Sequence, residues 1–412
     1  MEQQKKSFVY LGIDINDKYA MVSYFQSNMD EPETVGTVAG SEVFQIPLVL
    51  AKRKDLGQWY YGEEAKKKAK NQDMIFVDSL LQRAVAGDKI VIEDEKYDAD
   101  ELLALFLKKI MSLPYKLGKV VAYDKLVITV DRLTKENMDM FWKIAPRLGL
   151  SSEQFMVIDH KESFYYFTLS QESSLWIHDV FLFEYEKNSM SYLWLKRNSR
   201  TTPQVISINE SAKQAFMGDQ DEEFLRYLQK AFENKIVSTA YLVGNGFDGE
   251  WMKSSLAYLC RGRRVFMGMN LYSKGACYAA AARMNEDEWA FIYMGENEMK
   301  FNLSLKVRDK GELAFYNLIS AGKNWFEISG ECDVLLSDTT EIDFWKQLPN
   351  SREAVIESLE LTDIPDRPDR TTRVHITAKP IADNKIDITI KDMGFGELYR
   401  GTNKVWHYTM SV

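Results

Sequence analysis

Cysteine is scarce in this chain. Its 412 residues hold three, Cys260, Cys277 and Cys332, far apart and without a CxxC pair. That excludes a disulfide framework and a thiolate zinc site as organising features. Histidine is nearly as rare, and His160, His178, His375 and His407 show no ligand spacing. No run approaches the roughly 18 apolar residues of a membrane-spanning helix. The first apolar stretch is broken by Asp14 and is too short for a signal peptide. Positive charge is in deficit, with 52 Lys and Arg against 61 Asp and Glu, for a net charge of −9. A chain of that sign repels phosphate backbones and anionic lipid, so neither nucleic acid nor a membrane is expected as a partner. Two short basic clusters, Lys66–Lys68 and Arg261–Arg264, read as solvated surface. A reducing cytoplasm is the expected location.

What is present suits two or three folded domains: 45% of the residues are hydrophobic, ample for buried cores. From "FVYLGIDINDKYAMVSYF" to about Arg283, strand patterns alternate with helical ones, which predicts an α/β domain. Asp98 or Asp100 is placed to cap a helix running through Leu102–Met111. "KENMDMFWKIAPRLGL" reads as a helix interrupted at Pro146, and "YSKGACYAAAARM" as a small-residue helix suited to close packing. After Glu286 the pattern changes to short strands separated by turn residues, which predicts an all-β domain, most simply a sandwich. "SREAVIESLEL" reads there as helix, with strand as the alternative. The expected boundaries are 1–285 and 286–412.

Two strand–turn–strand units each carry an acidic residue towards the end of the first strand: Asp14 in the first unit, Glu184 in "VFLFEYEKNSMSYLWL". The order of the pieces resembles the actin-like, ribonuclease H-like two-lobed ATPase fold of the heat-shock protein 70 chaperones. The segments that carry the resemblance are "YLGIDIND", "IPLVLAKR…GQWYYGEEAKKKA", "KLVITV", "FMVIDHKESFYYF", "AYLVGNGFDGEW" and "KGACYAAAA". The C-terminal "LELTDIPDRPDRTTRVHITAKPIADNKIDITIKDMGFGEL" resembles the end of the chaperones' β-sandwich peptide-binding domain, and "NLISAGKNWFEISG" its early hairpin. Against the family's pattern a helical lid is expected to be absent, and the apolar interdomain linker is replaced by "RMNEDEWAFIYMG".

The resemblance implies ATP or ADP with magnesium, held by the backbone of glycine-rich turns and by carboxylates. Asp14 and Glu184 match the acidic, metal-positioning places. Asn16 and Lys18 stand in the first phosphate turn, where the family has Gly, Ser or Thr. Glu186 to Ser189 replace the second turn's glycines. Gly244, Gly246, Lys274 and Gly275 match the adenosine side, and they equally suit a tight turn and a close helix crossing that need no ligand. Ser79 stands where the family has a cleft lysine. His160 falls near a water-orienting Glu and reads either as a base or as a structural histidine. Glu210 and Lys213 resemble a charged helix that closes over adenine. With so many partners changed, the expected function is binding of a protein or extended peptide by the β domain, with a degenerate nucleotide cleft or no cofactor at all. Trp325, Phe326, Phe344 and Trp345 are candidates to line that site or to fill its core. A slow Mg-ATPase and an actin-like assembly protein are the alternatives.

Overall fold

The computed structural model describes residues 8–38, 40, 43–54, 56–116, 118, 120, 122–186 and 188–412. The chain forms two compact units. The first runs to Lys196 and resumes at Ile208–Trp289; the second comprises Arg197–Ser207 and Ala290–Val412. The segment Arg197–Ser207 belongs with the second because Gln204–Ile206 pairs in parallel with Phe291–Tyr293.

Two mixed sheets organise the first unit, and they repeat one plan. In the first sheet, β1 (Val9–Ile15) turns back antiparallel into β2 (Tyr19–Gln26), and β2 pairs with β3 (Glu33–Val35). On its other side β1 runs parallel to β4 (Lys125–Val130), and β4 parallel to β5 (Phe155–Asp159), which leads into helix α1 (His160–Leu169). In the second sheet, β6 (Asp179–Glu186) turns back into β7 (Ser189–Asn198) and runs parallel to β8 (Val237–Val243), which runs parallel to β9 (Arg264–Met267). Helix α2 (Leu271–Met284) lies against β1 and α1. Its small residues are required there. A Cβ on Gly12 of β1 would stand 2.1 Å from the Ser273 carbonyl oxygen, and one on Gly275 would stand 2.3 Å from that of Ser163. Ala276, Ala279 and Ala280 are fully buried in the same contact.

A smaller part of this unit lies between β3 and β4. Leu50–Arg53, Trp59–Tyr61 and Met74–Val77 form a three-stranded sheet. The helix Ala99–Met111 starts at a capping box of Asp98 and Glu101, so of the two caps expected, Asp98 and Asp100, the first is in place. The helix Lys135–Ile144 gives way to a 3-10 turn containing Pro146. No helix among the described residues is long and apolar enough to cross a membrane.

The second unit is strand-rich. One antiparallel sheet joins β10 (Asn302–Asp309), β11 (Glu312–Ile319), β13 (Glu341–Gln347) and β14 (Ala354–Glu360), with β11 and β14 at its edges. The other joins β12 (Gly330–Leu336), β15 (Thr372–Ala382), β16 (Lys385–Asp392) and β17 (Val405–Ser411). Leu303, Leu305, Ile342 and Phe344 of the first sheet share one apolar core with Val374, Ile376, Ile388 and Trp406 of the second.

Three expectations change. "SREAVIESLEL" holds the strand β14, not a helix: as an edge strand it shows alternating burial only at its end, so period two is weak in the sequence. "NLISAGKNWFEISG" is not a hairpin, because β11 and β12 lie in different sheets. Glu210 and Lys213 are not on a helix: Glu210 ends the strand Gln204–Glu210, and Lys213 precedes the short strand Gln214–Ala215.

Candidate functional site

The carboxyl ends of parallel strands are where α/β sheets place their crevices. In the first unit those ends bring together Asp14 of β1, Asp131 just after β4, and His160 at the first turn of α1, where Asp159 caps the helix. Glu184 of β6, Val243 at the end of β8 and Tyr272 in the first turn of α2 join them in the lining. The resulting cleft has a volume of about 240 Å³.

Asp14 and Glu184 both face this cleft, and each is engaged by the protein itself. His160 Nε2 lies 2.8 Å from Asp14 Oδ1, and its Nδ1 lies 3.8 Å from Asp131 Oδ1. The His160 ring stacks flat on Tyr272, with centroids 3.8 Å apart and planes 5° from parallel. The Tyr272 hydroxyl donates to Glu184 Oε1. A continuous chain, Asp14–His160–Tyr272–Glu184, therefore fills the floor. Burial of the imidazole disfavours its charged form, but Asp14, Glu184 and Asp131 outweigh that and raise the His160 pKa to about 9. Burial likewise raises the Glu184 pKa, against the pull of His160 and the Tyr272 hydroxyl. Burial and the neighbouring Glu184 push the Tyr272 phenol well up.

The first turn is closed in the same way. Asn16 Oδ1 accepts from the Lys18 N–H at 2.9 Å and the Tyr19 N–H at 3.1 Å. The side-chain oxygen of an Asx turn thus takes both of these backbone donors. At the second turn, Asn188 adopts a left-handed conformation and accepts from the Tyr185 hydroxyl. Lys187, expected in that turn, lies outside the described residues. The cleft lining carries the five carboxylates of Asp14, Asp17, Asp131, Glu184 and Glu186, against Lys18, Lys213 and His160.

The four residues that the resemblance matches to an adenosine side each have a partner within the protein. Gly244 has φ +110°, and a Cβ there would meet the Tyr185 carbonyl oxygen at 2.4 Å. On Gly246 it would meet the Tyr185 ring at 2.5 Å. The Gly246 carbonyl accepts from Trp251 Nε1 at 3.0 Å. Lys274 pairs with Glu31 at 3.1 Å, and Gly275 makes the close crossing of α1 and α2. None of these four lines the cleft. Gly246→Ala is expected to destabilise the first unit by roughly 1–3 kcal/mol through overpacking against Tyr185; an unchanged melting temperature would refute this account of the glycine.

Ser79 lies outside the lining too: it precedes the helix Leu80–Ala86 in a left-handed conformation. Glu210 pairs with Lys161 of α1 at 2.9 Å, while Lys213 reaches the cleft. Tyr272 and Asp131 are members that sequence reasoning did not single out. Asp131, directly after "KLVITV", carries the signal of an acidic residue at a strand's carboxyl end. Tyr272, within "NLYSKGACY", carries none. Among the described residues no group of three or more His, Cys, Asp or Glu side chains is arranged to hold a metal ion.

Residues 31–296 match the C-terminal part of a family of unknown function, DUF5716. The chain belongs to that family. The DUF5716 match contains His160, Glu184 and Tyr272 but begins after the first hairpin, so Asp14 and Asn16 precede it. Residues 298–412 match a second domain of unknown function, DUF8552. No curated protein matches the chain.

Proposed function

We propose that this protein is a divergent, actin-like relative of the heat-shock protein 70 chaperones that works by binding a protein or extended peptide, and that its first unit is a scaffold whose nucleotide cleft is filled from within. The repeated plan of the two sheets supports the actin-like reading. In each, a hairpin's first strand runs parallel to a third strand, and that to a fourth. The observation that carries the filled-cleft reading is the side-chain chain itself. An imidazolium stands against Asp14 where a divalent cation would need that carboxylate, and the Tyr272 hydroxyl takes Glu184. Those residues do not fit magnesium. The cleft is also smaller than the roughly 300–1,000 Å³ of ordinary ligand pockets.

Partner binding is supported by the second unit's edges. Leu313, Phe315 and Tyr316 on β11 are 65%, 58% and 44% exposed, and Val355 and Ile356 on β14 are 63% and 48% exposed. Edge strands with apolar side chains accept an added strand readily. Of the aromatics singled out in the sequence, Phe344 is fully buried and Trp325 packs on the core, while half-buried Trp345 meets Phe315 with ring centroids 5.1 Å apart. Calorimetric titration with ATP and ADP, with and without magnesium, tests the filled cleft. No heat is expected up to millimolar nucleotide. Micromolar binding would overturn it and revive the slow Mg-ATPase.

A further inference from the structure

The basic cluster Arg261–Arg264 borders a sheet edge. Among the described residues β9 is the last strand of its sheet and pairs with β8 alone. The Gly268 N–H donates to the Leu242 carbonyl at 3.1 Å. In a parallel ladder, alternate residues turn both peptide groups to the same neighbour. Arg264, Phe266 and Gly268 therefore face β8, and Val265 and Met267 present their N–H and C=O groups outward. No strand among the described residues pairs with that outer row. Successive side chains of a strand point to opposite faces. Phe266 and Met267, 43% and 65% exposed, thus offer apolar contact on both faces of the edge.

The charges around this edge select its occupant. Arg261 and Arg264 are exposed, while the Arg263 guanidinium is held over the Phe232 ring at 4.6 Å. No other four-residue stretch of the chain contains three arginines, and the whole carries a net charge of −9. Edge charges are a usual guard against strand addition. Here they select for opposite charge: a two-fold, antiparallel pairing of this edge with a second copy would set Arg264 opposite Met267, and residues 267–270 of that copy hold no carboxylate to meet the arginines. We propose that β9 takes an extended acidic segment of another protein as an added parallel or antiparallel strand. The outward peptide groups of Val265 and Met267 would supply the hydrogen bonds, and Arg261 and Arg264 the charge complement. This surface is separate from the edges of the second unit and does not rest on the reading given to them.

The test uses the full-length protein and a fluorescent, end-blocked peptide of about ten residues alternating Glu and Val, the length of a long strand. Anisotropy should report saturable binding that weakens as salt is raised, because exposed charges are screened. A Lys-and-Val peptide of equal length should not bind. Met267→Pro removes an N–H that no strand among the described residues takes, and proline is tolerated on edge strands in that setting. It should reduce affinity about tenfold or more with the circular dichroism spectrum unchanged. Should that variant not fold, Arg261→Glu with Arg264→Glu changes only exposed side chains and should reverse the preference towards the Lys-and-Val peptide. The proposal is overturned by absence of binding at millimolar peptide, by equal binding of both peptides, or by a charge-reversed protein that keeps the acidic preference. It is also overturned by a concentration-dependent dimer that Met267→Pro abolishes, which would assign the edge to a second copy.

Discussion

His160→Ala is expected to destabilise the first unit by roughly 3–5 kcal/mol, the cost of leaving one partner of a buried pair uncompensated. Asp14 is 1% exposed and His160 Nε2 is 2.8 Å from it, so the truncated protein would lose the charged donor that faces a carboxylate buried in the folded chain. The variant also strips one face of the Tyr272 ring. Denaturant melts of the wild type, His160→Ala, Asp14→Asn and the double variant give the coupling directly. The double variant should be less destabilised than the sum of the singles. A single variant within about 1 kcal/mol of wild type would show the pair to be dispensable. The pH dependence has a definite sign. His160 titrates near 9 in the folded chain against about 6.5 unfolded. The folded state therefore binds the proton more tightly, and the stabilisation is fully present below about pH 6.5 and drains away as pH rises through about 9. Glu184, also raised, has the same sign. Asp14→Asn should flatten the slope between those limits.

This pair also marks the limit of what sequence conveys. The two strand–turn–strand units are legible because each is local: alternating residues and a polar turn define Val9–Gln26 and Asp179–Asn198 without reference to the rest of the chain. So is the cap at Asp98, which lies three residues from its partner Glu101. Asp14 and Glu184 could be placed in one cleft by resemblance, and both do line it. Their partners could not. Asp14 and His160 are 146 residues apart, Glu184 and Tyr272 are 88 apart, and no spacing rule links such pairs. Glycine was ambiguous for a related reason. Gly244, Gly246 and Gly275 are required because Tyr185 and Ser163 come close, a fact held by the partner element and not by the turn. The strand β14 was obscured because Val355, Ile356 and Glu357 lie at an edge, where burial does not impose alternation on the side chains.

In the second unit, Arg367→Ala should cost a similar roughly 3–5 kcal/mol, with the opposite pH signature. Arg367 Nη1 and Nη2 meet the two carboxylate oxygens of Asp392 at 2.8 Å each, and the pair is 4% and 0% exposed. The same guanidinium donates to the Arg400 carbonyl at 2.9 Å. Asp392 also accepts from the backbone N–H groups of Gly394 and Thr402 and from the Thr402 hydroxyl. One ion pair therefore fastens the Pro-containing connection before β15 to the small hairpin after β16. Arg367→Lys keeps the charge but not the two-pronged geometry, so its cost should be intermediate. Burial alone would raise the Asp392 pKa, but Arg367 and the Thr402 and Gly394 donors override it and hold the carboxyl well below the usual range. A depressed folded pKa gives stability that is present above about pH 4, the unfolded value, and is lost as pH falls further. The His160 cluster should thus weaken the first unit on the alkaline side, and the Arg367–Asp392 pair the second on the acid side. Hydrogen exchange followed peptide by peptide separates the two, since each unit opens with its own free energy. In Arg367→Ala, protection should fall first at the Gly394 and Thr402 amides while the His160 region keeps its own. Equal loss in both units would mean that they unfold as one, and the argument for separate pH limits would fail.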